Sequence, residues 1–171
     1  PTMRAKKAIS EYVHKPLEDM ITYAGSGAGI NAIGEAFLNP GDEVLICSPT
    51  YMAYGHLPAR HGAKLVEVFS KDGVSTDLEL LAGAITDKTK ILVLPFPNNP
   101  TGAIMERKDL EEIAEVIKKH DIFVISDEIY SELCYTDQHV SIANIEGMQE
   151  RTILINGFSK SYAMTGWRLG Y

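Results

Sequence analysis

Four segments of the sequence contain residues that can do chemistry, and each lies next to one end of a predicted strand or helix. Lys160 follows one apolar run, Asp127 and Tyr130 follow another, and Asn99 follows a third. The fourth segment, residues 25–27, is rich in glycine and comes directly before a predicted helix. In open α/β sheets the functional loops cluster at the carboxyl ends of the strands. We therefore expect these groups to meet at one edge of a sheet.

Each of these segments has a simpler interpretation when it is taken alone. Glycine-rich turns mostly serve backbone geometry, and a Pro-Asn-Asn-Pro sequence is more often a turn than a site. Asp127 followed by Glu128 is also typical of a solvated helix entrance, and most lysines lie on the surface. The joint occurrence of all four segments at successive element ends is what favours a functional site.

The elements that must position these residues alternate between short apolar runs and helical patterns. This alternation is typical of a mainly parallel sheet covered by helices. Runs rich in Val, Ile and Leu without strict alternation are expected of strands buried on both faces. The sequence thus predicts one α/β domain with three layers, α/β/α. The predicted strands are residues 43–47, 64–69, 91–94, 122–125, 152–155 and 167–171, and the predicted helices are residues 1–14, 28–38, 52–61, 78–85 and 110–120.

Composition narrows the class of protein. The net charge of −7 disfavours a nucleic-acid backbone or an anionic membrane surface as the main partner. No apolar run approaches the roughly 20 residues that span a bilayer. The two cysteines, Cys47 and Cys134, are expected to be buried small residues of a reducing compartment, and neither a disulfide nor a metal site is predicted. These features predict a cytoplasmic enzyme.

Five segments together resemble one known family. Residues 156–171, which contain Lys160 and Arg168, are similar to the lysine signature of class I and II aminotransferases, which are fold type I pyridoxal 5'-phosphate (PLP) enzymes. Residues 98–102 and 126–130 resemble two further signatures in the family's order, as do residues 39–44 and 48–51. The resemblance covers essentially the whole chain. The form of the lysine segment is similar to the branch that contains many bacterial and archaeal aspartate and aromatic aminotransferases.

The resemblance implies a role for each residue that faces the cofactor ring. Lys160 would form a Schiff base with the PLP aldehyde and, once freed, would move the proton at the substrate α-carbon. Asp127 would pair with the protonated pyridine nitrogen. Asn99 and Tyr130 would hydrogen-bond the phenolic oxygen of the cofactor, and Tyr51 would stack on one ring face.

The resemblance also implies a phosphate site. Arg168 would pair with the phosphate, and the backbone N–H groups of Ser26 and Gly27 would hold it at the positive end of a helix. The Ser159 hydroxyl would add a contact. The sequence departs from the family at Gly157, where many relatives have a phosphate-binding serine, so we expect one contact fewer.

Residues 1–171 are expected to form the PLP-binding large domain of such an enzyme, without the N-terminal arm and the C-terminal small domain of the family. The implied activity is transfer of an amino group between an L-amino acid and a 2-oxo acid, in a homodimer. A C–S β-lyase or a decarboxylase on the same scaffold is the main alternative, because reaction choice depends on groups outside the shared cofactor site. A non-catalytic sensor domain and a nucleotide-binding domain are further alternatives. Residues 25–27 lack the glycine spacing of the common nucleotide-binding loops.

Overall fold

The polypeptide alternates helices and strands along its length, as the apolar runs predict. The computed structural model describes residues 2–135 and 139–171. Most predicted elements are present, with ends that differ from the prediction by at most three residues. In chain order the elements longer than one turn are α1 (Met3–Val13), α2 (Ser26–Phe37), β1 (Glu43–Ser48), α3 (Ala53–Ala59), β2 (Lys64–Phe69), α4 (Leu78–Gly83), β3 (Thr89–Leu94), α5 (Arg107–Ile117), β4 (Phe123–Asp127) and β5 (Thr152–Ile155).

The described residues form a sheet of five strands in the order β2-β1-β3-β4-β5. All neighbouring strands run parallel, which confirms the predicted arrangement. The register pairs Leu94 with Ser126 and Asp127 with Ile155. The carboxyl ends of β3, β4 and β5 therefore lie side by side, so the loops that follow them leave the sheet at the same edge.

The sheet is covered on both faces, which confirms the three-layer α/β/α fold. Consecutive strand residues such as Leu92 and Val93 point to opposite faces and belong to two separate apolar clusters. One cluster contains α4 and α5, and the other contains α2 and α3. The central strands are buried on both faces, as predicted, whereas β2 is only partly buried. As an edge strand β2 has a neighbour on one side only, and Phe69 at its end is exposed.

The prediction of a strand over residues 167–171 is wrong. The residues Thr165–Trp167 form a 3-10 turn, and Arg168 adopts the left-handed conformation at φ 52°. Extended pairing cannot pass through such a residue, so only the last residues pair. Gly170 forms isolated antiparallel bridges with Tyr23 on one side and Gly157 on the other.

Local side-chain contacts fix the starts of α4 and α5. The side chain of Asp77 caps α4 by accepting a hydrogen bond from the backbone N–H of Leu80. Helix α5 begins three residues before the predicted start, because Glu106 and Asp109 form a capping box. Among the described residues no helix is long and apolar enough to cross a membrane.

Candidate active site

A cavity of about 340 Å³ lies at the carboxyl ends of β3, β4 and β5. Ligand cavities are usually about 300–1,000 Å³, so its volume is that of a small-molecule site. All the residues that the sequence predicts for a site lie in its wall, namely Ser26, Gly27, Tyr51, Asn99, Asp127, Tyr130, Ser159, Lys160 and Arg168. The sequence did not predict the other lining residues, which are Ile30, Tyr54, Pro95, Pro97, Ile129 and Thr165.

Asp127 is the buried acid of the cavity. It is the last residue of β4, and only 4% of its surface is exposed. The Tyr54 hydroxyl donates a 2.8 Å hydrogen bond to Oδ2, and the Ile129 backbone N–H donates a 3.2 Å bond to Oδ1. Burial raises the pKa of Asp127 to about 6, although both hydrogen bonds act to lower it. A cation beside this carboxylate would therefore be strongly favoured.

Tyr54 holds Asp127 and was missed because the sequence pattern does not show which way a helical tyrosine faces. Burial and the neighbouring Asp127 charge raise the pKa of Tyr54, so its hydroxyl keeps its proton and remains a donor. The Tyr51 ring meets the Tyr54 ring edge-on, with 5.8 Å between centroids. Tyr54 could have been identified from its position in the first turn of α3, three residues after Tyr51.

The two adjacent asparagines after β3 have different environments. Asn98 is buried, and its Oδ1 accepts hydrogen bonds from the Thr101 backbone N–H at 3.3 Å and the Thr101 hydroxyl at 3.0 Å. Asn98 therefore shapes the turn. Asn99 lines the cavity. The geometry thus separates a structural asparagine from one that is available to a ligand.

Lys160 lies beside Tyr130 at the cavity. Its Nζ is 5.4 Å from the centre of the Tyr130 ring. The backbone after Lys160 turns sharply, with Ala163 in the left-handed region at φ 52°. Helix α1 supports this turn, because the Tyr162 hydroxyl donates a 3.1 Å hydrogen bond to the Tyr12 hydroxyl. The amine is thereby presented to the cavity from a turn anchored by a residue distant in sequence.

The part of the cavity wall formed by Ser26, Gly27 and Arg168, which we call the anion end, suits an anion. Helix α2 begins at Ser26, so its first backbone N–H groups face this end. The Arg168 guanidinium lies directly against Gly25, where a Cβ atom would overlap Nη2, and its Nη1 donates a 3.0 Å hydrogen bond to the Thr165 carbonyl. At Gly157 a Cβ atom would lie 2.9 Å from the Leu169 carbonyl oxygen, so the present backbone has no room for a serine there.

A second buried carboxylate, Glu128, lies outside the cavity lining. Its Oε1 accepts hydrogen bonds from the Ser126 hydroxyl at 2.8 Å and the Ser141 hydroxyl at 2.5 Å. Nε2 of His139 lies 2.8 Å from its Oε2. These contacts connect the end of β4 to residues 139–141. Glu128 therefore stabilises the structure, whereas its neighbour Asp127 lines the cavity.

The wall of the cavity combines a guanidinium beside a helix N-terminus, a buried acid and a lysine amine. Amide and phenol groups from Asn99 and Tyr130 add hydrogen-bonding capacity. These groups fit a ligand that has an anionic tail, a cationic ring atom and a carbonyl group.

Comparison with known proteins agrees with this fold, because the matching solved structures are aminotransferases. The family model described as aminotransferase class I and II matches residues 3–171. The chain belongs to this family, as its motifs predict.

Individual relatives of the chain are named as aminotransferases. The chain is 41% identical to the aspartate aminotransferase of Pyrococcus abyssi over 176 residues, which are 97% of this chain and 45% of that protein. It is 45% identical over 138 residues to aromatic-amino-acid aminotransferase 2 of Thermococcus litoralis, covering 79% and 36% of the two chains. The crystal structure of the aromatic aminotransferase from Pyrococcus horikoshii matches with a TM-score of 0.90 at 40% identity, over 96% of this chain and 47% of that one. The chain thus spans about half the length of such relatives or less.

Proposed function

We propose that the protein is a PLP-dependent aminotransferase that moves an amino group between an L-amino acid and a 2-oxo acid. The observation that carries this proposal is the cavity in which a lysine amine, a buried carboxylate and an arginine at a helix N-terminus meet. Membership of the class I and II family supports the reaction type. Relatives named for aspartate and for aromatic amino acids support an amino donor of one of these kinds.

The residues at the anion end fit the phosphate of PLP. When bound, PLP supplies an aldehyde that condenses with amines and a ring that accepts electron density from the substrate α-carbon. Arg168 and the backbone N–H groups of Ser26 and Gly27 would hold the phosphate, with the Ser159 hydroxyl as a further donor. Tyr51 would cover one face of the ring. The cofactor would thus be fixed at its tail and on one face.

Asp127 and Lys160 would control the protons. The Asp127 carboxylate would hold a proton on the pyridine nitrogen, and the resulting positive charge would lower the pKa of Asp127 from its value near 6. In the resting enzyme Nζ of Lys160 would hold the cofactor by replacing its aldehyde oxygen, which leaves as water. Once the substrate amine has displaced it, Nζ would accept the proton of the substrate α-carbon and donate it to the cofactor. Asn99 and Tyr130 would hydrogen-bond the phenolic oxygen of the cofactor.

We also propose that residues 1–171 form the PLP-binding large domain of a cytoplasmic homodimer. The parallel sheet with its cavity, together with the coverage of relatives about twice as long, supports the domain assignment. The groups that bind the substrate carboxylate would then come from outside this domain. We expect residues 1–171 alone to transaminate poorly, because orientation of substrate can contribute about 7–11 kcal/mol to catalysis.

The test uses the natural protein that contains these residues. Borohydride reduction with PLP followed by peptide mapping should label Lys160, and the Lys160→Ala variant should lose both the label and amino-group transfer to 2-oxoglutarate. Lys108→Ala removes an exposed lysine from α5 and should change neither. A label on another lysine would contradict the assignment of Lys160, and release of ammonia in place of transfer would contradict the proposed reaction and favour a lyase.

A further inference from the structure

Gly170 makes a backbone contact that leaves no room for a side chain. It is buried, and a Cβ atom built on it would lie 2.7 Å from both the Gly25 carbonyl carbon and the Ser26 nitrogen. Real Cβ atoms essentially never come within 3.0 Å of such atoms. The segment that carries Arg168 and the segment that begins α2 therefore touch through bare backbone.

Hydrogen bonds hold the two segments in this position. The Tyr23 backbone N–H donates to the Gly170 carbonyl at 2.8 Å, and the Gly170 N–H donates to the Tyr23 carbonyl at 3.0 Å. The Tyr23 carbonyl also accepts from the Gly25 N–H at 2.9 Å. A change in the separation at Gly170 would therefore be passed to the peptide at the start of α2.

The same contact fixes the spacing of two cationic features. Arg168 is two residues before Gly170 and lies against Gly25, and the first free N–H groups of α2 follow from Ser26. Gly25 itself has a φ of 89°, which favours glycine. The distance between the guanidinium and the helix N-terminus is thus set where the two backbones meet.

We propose that Gly170 is a positioning residue that sets the spacing between Arg168 and the N-terminus of α2, and thereby the affinity of the cavity for a phosphate group. This inference rests on the proposed function. A methyl group at Gly170 must push the Gly25–Ser26 peptide away by a few tenths of an ångström. Charge-assisted hydrogen bonds shared between the two segments depend on such distances, so a common phosphate ligand would lose part of them.

Gly170→Ala isolates this effect. Gly170 has no positive φ, so alanine adds the crowded methyl group without requiring a left-handed backbone. The matched control is Gly166→Ala in the same segment, whose methyl group would meet no atom within 4 Å. It adds the same methyl group without crowding the contact between Gly170 and α2.

The experiment measures dissociation constants for PLP and for pyridoxal, which lacks the phosphate, by absorption titration of the natural protein and both variants. Gly170→Ala should weaken PLP binding by roughly tenfold or more and change pyridoxal binding by less than about twofold. Gly166→Ala should leave the ratio of the two constants unchanged. Inorganic phosphate should compete with PLP less well in Gly170→Ala than in the wild type.

Each other outcome has a distinct meaning. If the wild-type protein binds PLP and pyridoxal equally well, the anion site itself is wrong and the inference fails with it. If the wild-type protein prefers PLP and Gly170→Ala keeps the same preference, the anion site stands and the role of Gly170 is overturned. Equal loss of both ligands in Gly170→Ala, or the same change in ratio for Gly166→Ala, would show a general disturbance and also overturn that role.

Discussion

The hydroxyl of Tyr54 donates a 2.8 Å hydrogen bond to Oδ2 of Asp127 and so connects α3 to the end of β4. Both residues are almost completely buried, at 3% and 4% exposure. A hydrogen bond to a charged group in such a place is stronger than one between exposed neutral groups. Tyr54 therefore both orients the carboxylate and stabilises its ionised form.

Tyr54→Phe should raise the pKa of Asp127. Removing the donor withdraws a hydrogen bond worth about 1.5–3 kcal/mol to the ionised form, so the pKa should move from about 6 to about 7 or higher. The measurement is a ¹³C NMR titration of the Asp127 carboxyl carbon without PLP. Tyr51→Phe is the control, because the Tyr51 ring is nearby and its hydroxyl is not a cause of the Asp127 shift. An unchanged midpoint in Tyr54→Phe would contradict this role.

Asp127 should make the cofactor-free protein less stable as pH rises. Its pKa is about 6 in the folded protein against 3.8 ordinarily, so between these values the folded state binds more protons than the unfolded state. The contribution of Asp127 to the free energy of unfolding must then fall as pH rises from about 4 to above 6, by up to about 3 kcal/mol. Urea denaturation at pH 4 and pH 8 tests this. Asp127→Asn cannot ionise, so its stability relative to the wild type should rise over that interval, and parallel profiles would refute the assignment.

Glu128→Ala should lower the free energy of unfolding by about 3 kcal/mol, because it leaves two buried hydroxyl groups and a histidine without their acceptor. Glu128→Gln keeps an acceptor oxygen and should cost less. The exposed Glu132 provides the control, and its replacement by alanine should change stability by less than about 0.5 kcal/mol. Equal effects of the three substitutions in urea denaturation would rule out the buried network.

Substitutions of Asn98 and Asn99 should affect different properties, namely stability for Asn98 and the bound cofactor for Asn99. Asn98→Ala removes the acceptor of two turn hydrogen bonds and should lower the free energy of unfolding by about 1–2 kcal/mol. Asn99→Ala should leave stability nearly unchanged and instead move the pH at which the visible absorption of bound PLP changes. Thermal unfolding and a spectrophotometric pH titration provide the two measurements. The reverse pattern would mean that the asparagines have the opposite tasks.

The sequence predicted the sheet well because buried parallel strands need continuous apolar runs, and such runs are visible in the order of residues alone. It failed at residues 167–171, where Arg168 has a left-handed backbone that no apolar pattern reports. The start of α5 was likewise missed because the capping box depends on two acidic side chains outside the apolar pattern.

The residue types and their order by themselves determined the family, the fold class and nine of the residues that line the cavity. Only the tertiary structure decided which neighbour supports each of them. Tyr54 meets Asp127 across 73 positions, and Gly170 meets Gly25 across most of the chain. Contacts between residues so far apart depend on how α2, α3 and the strand ends pack against one another, and packing is a property of the folded sheet and its helices rather than of local sequence.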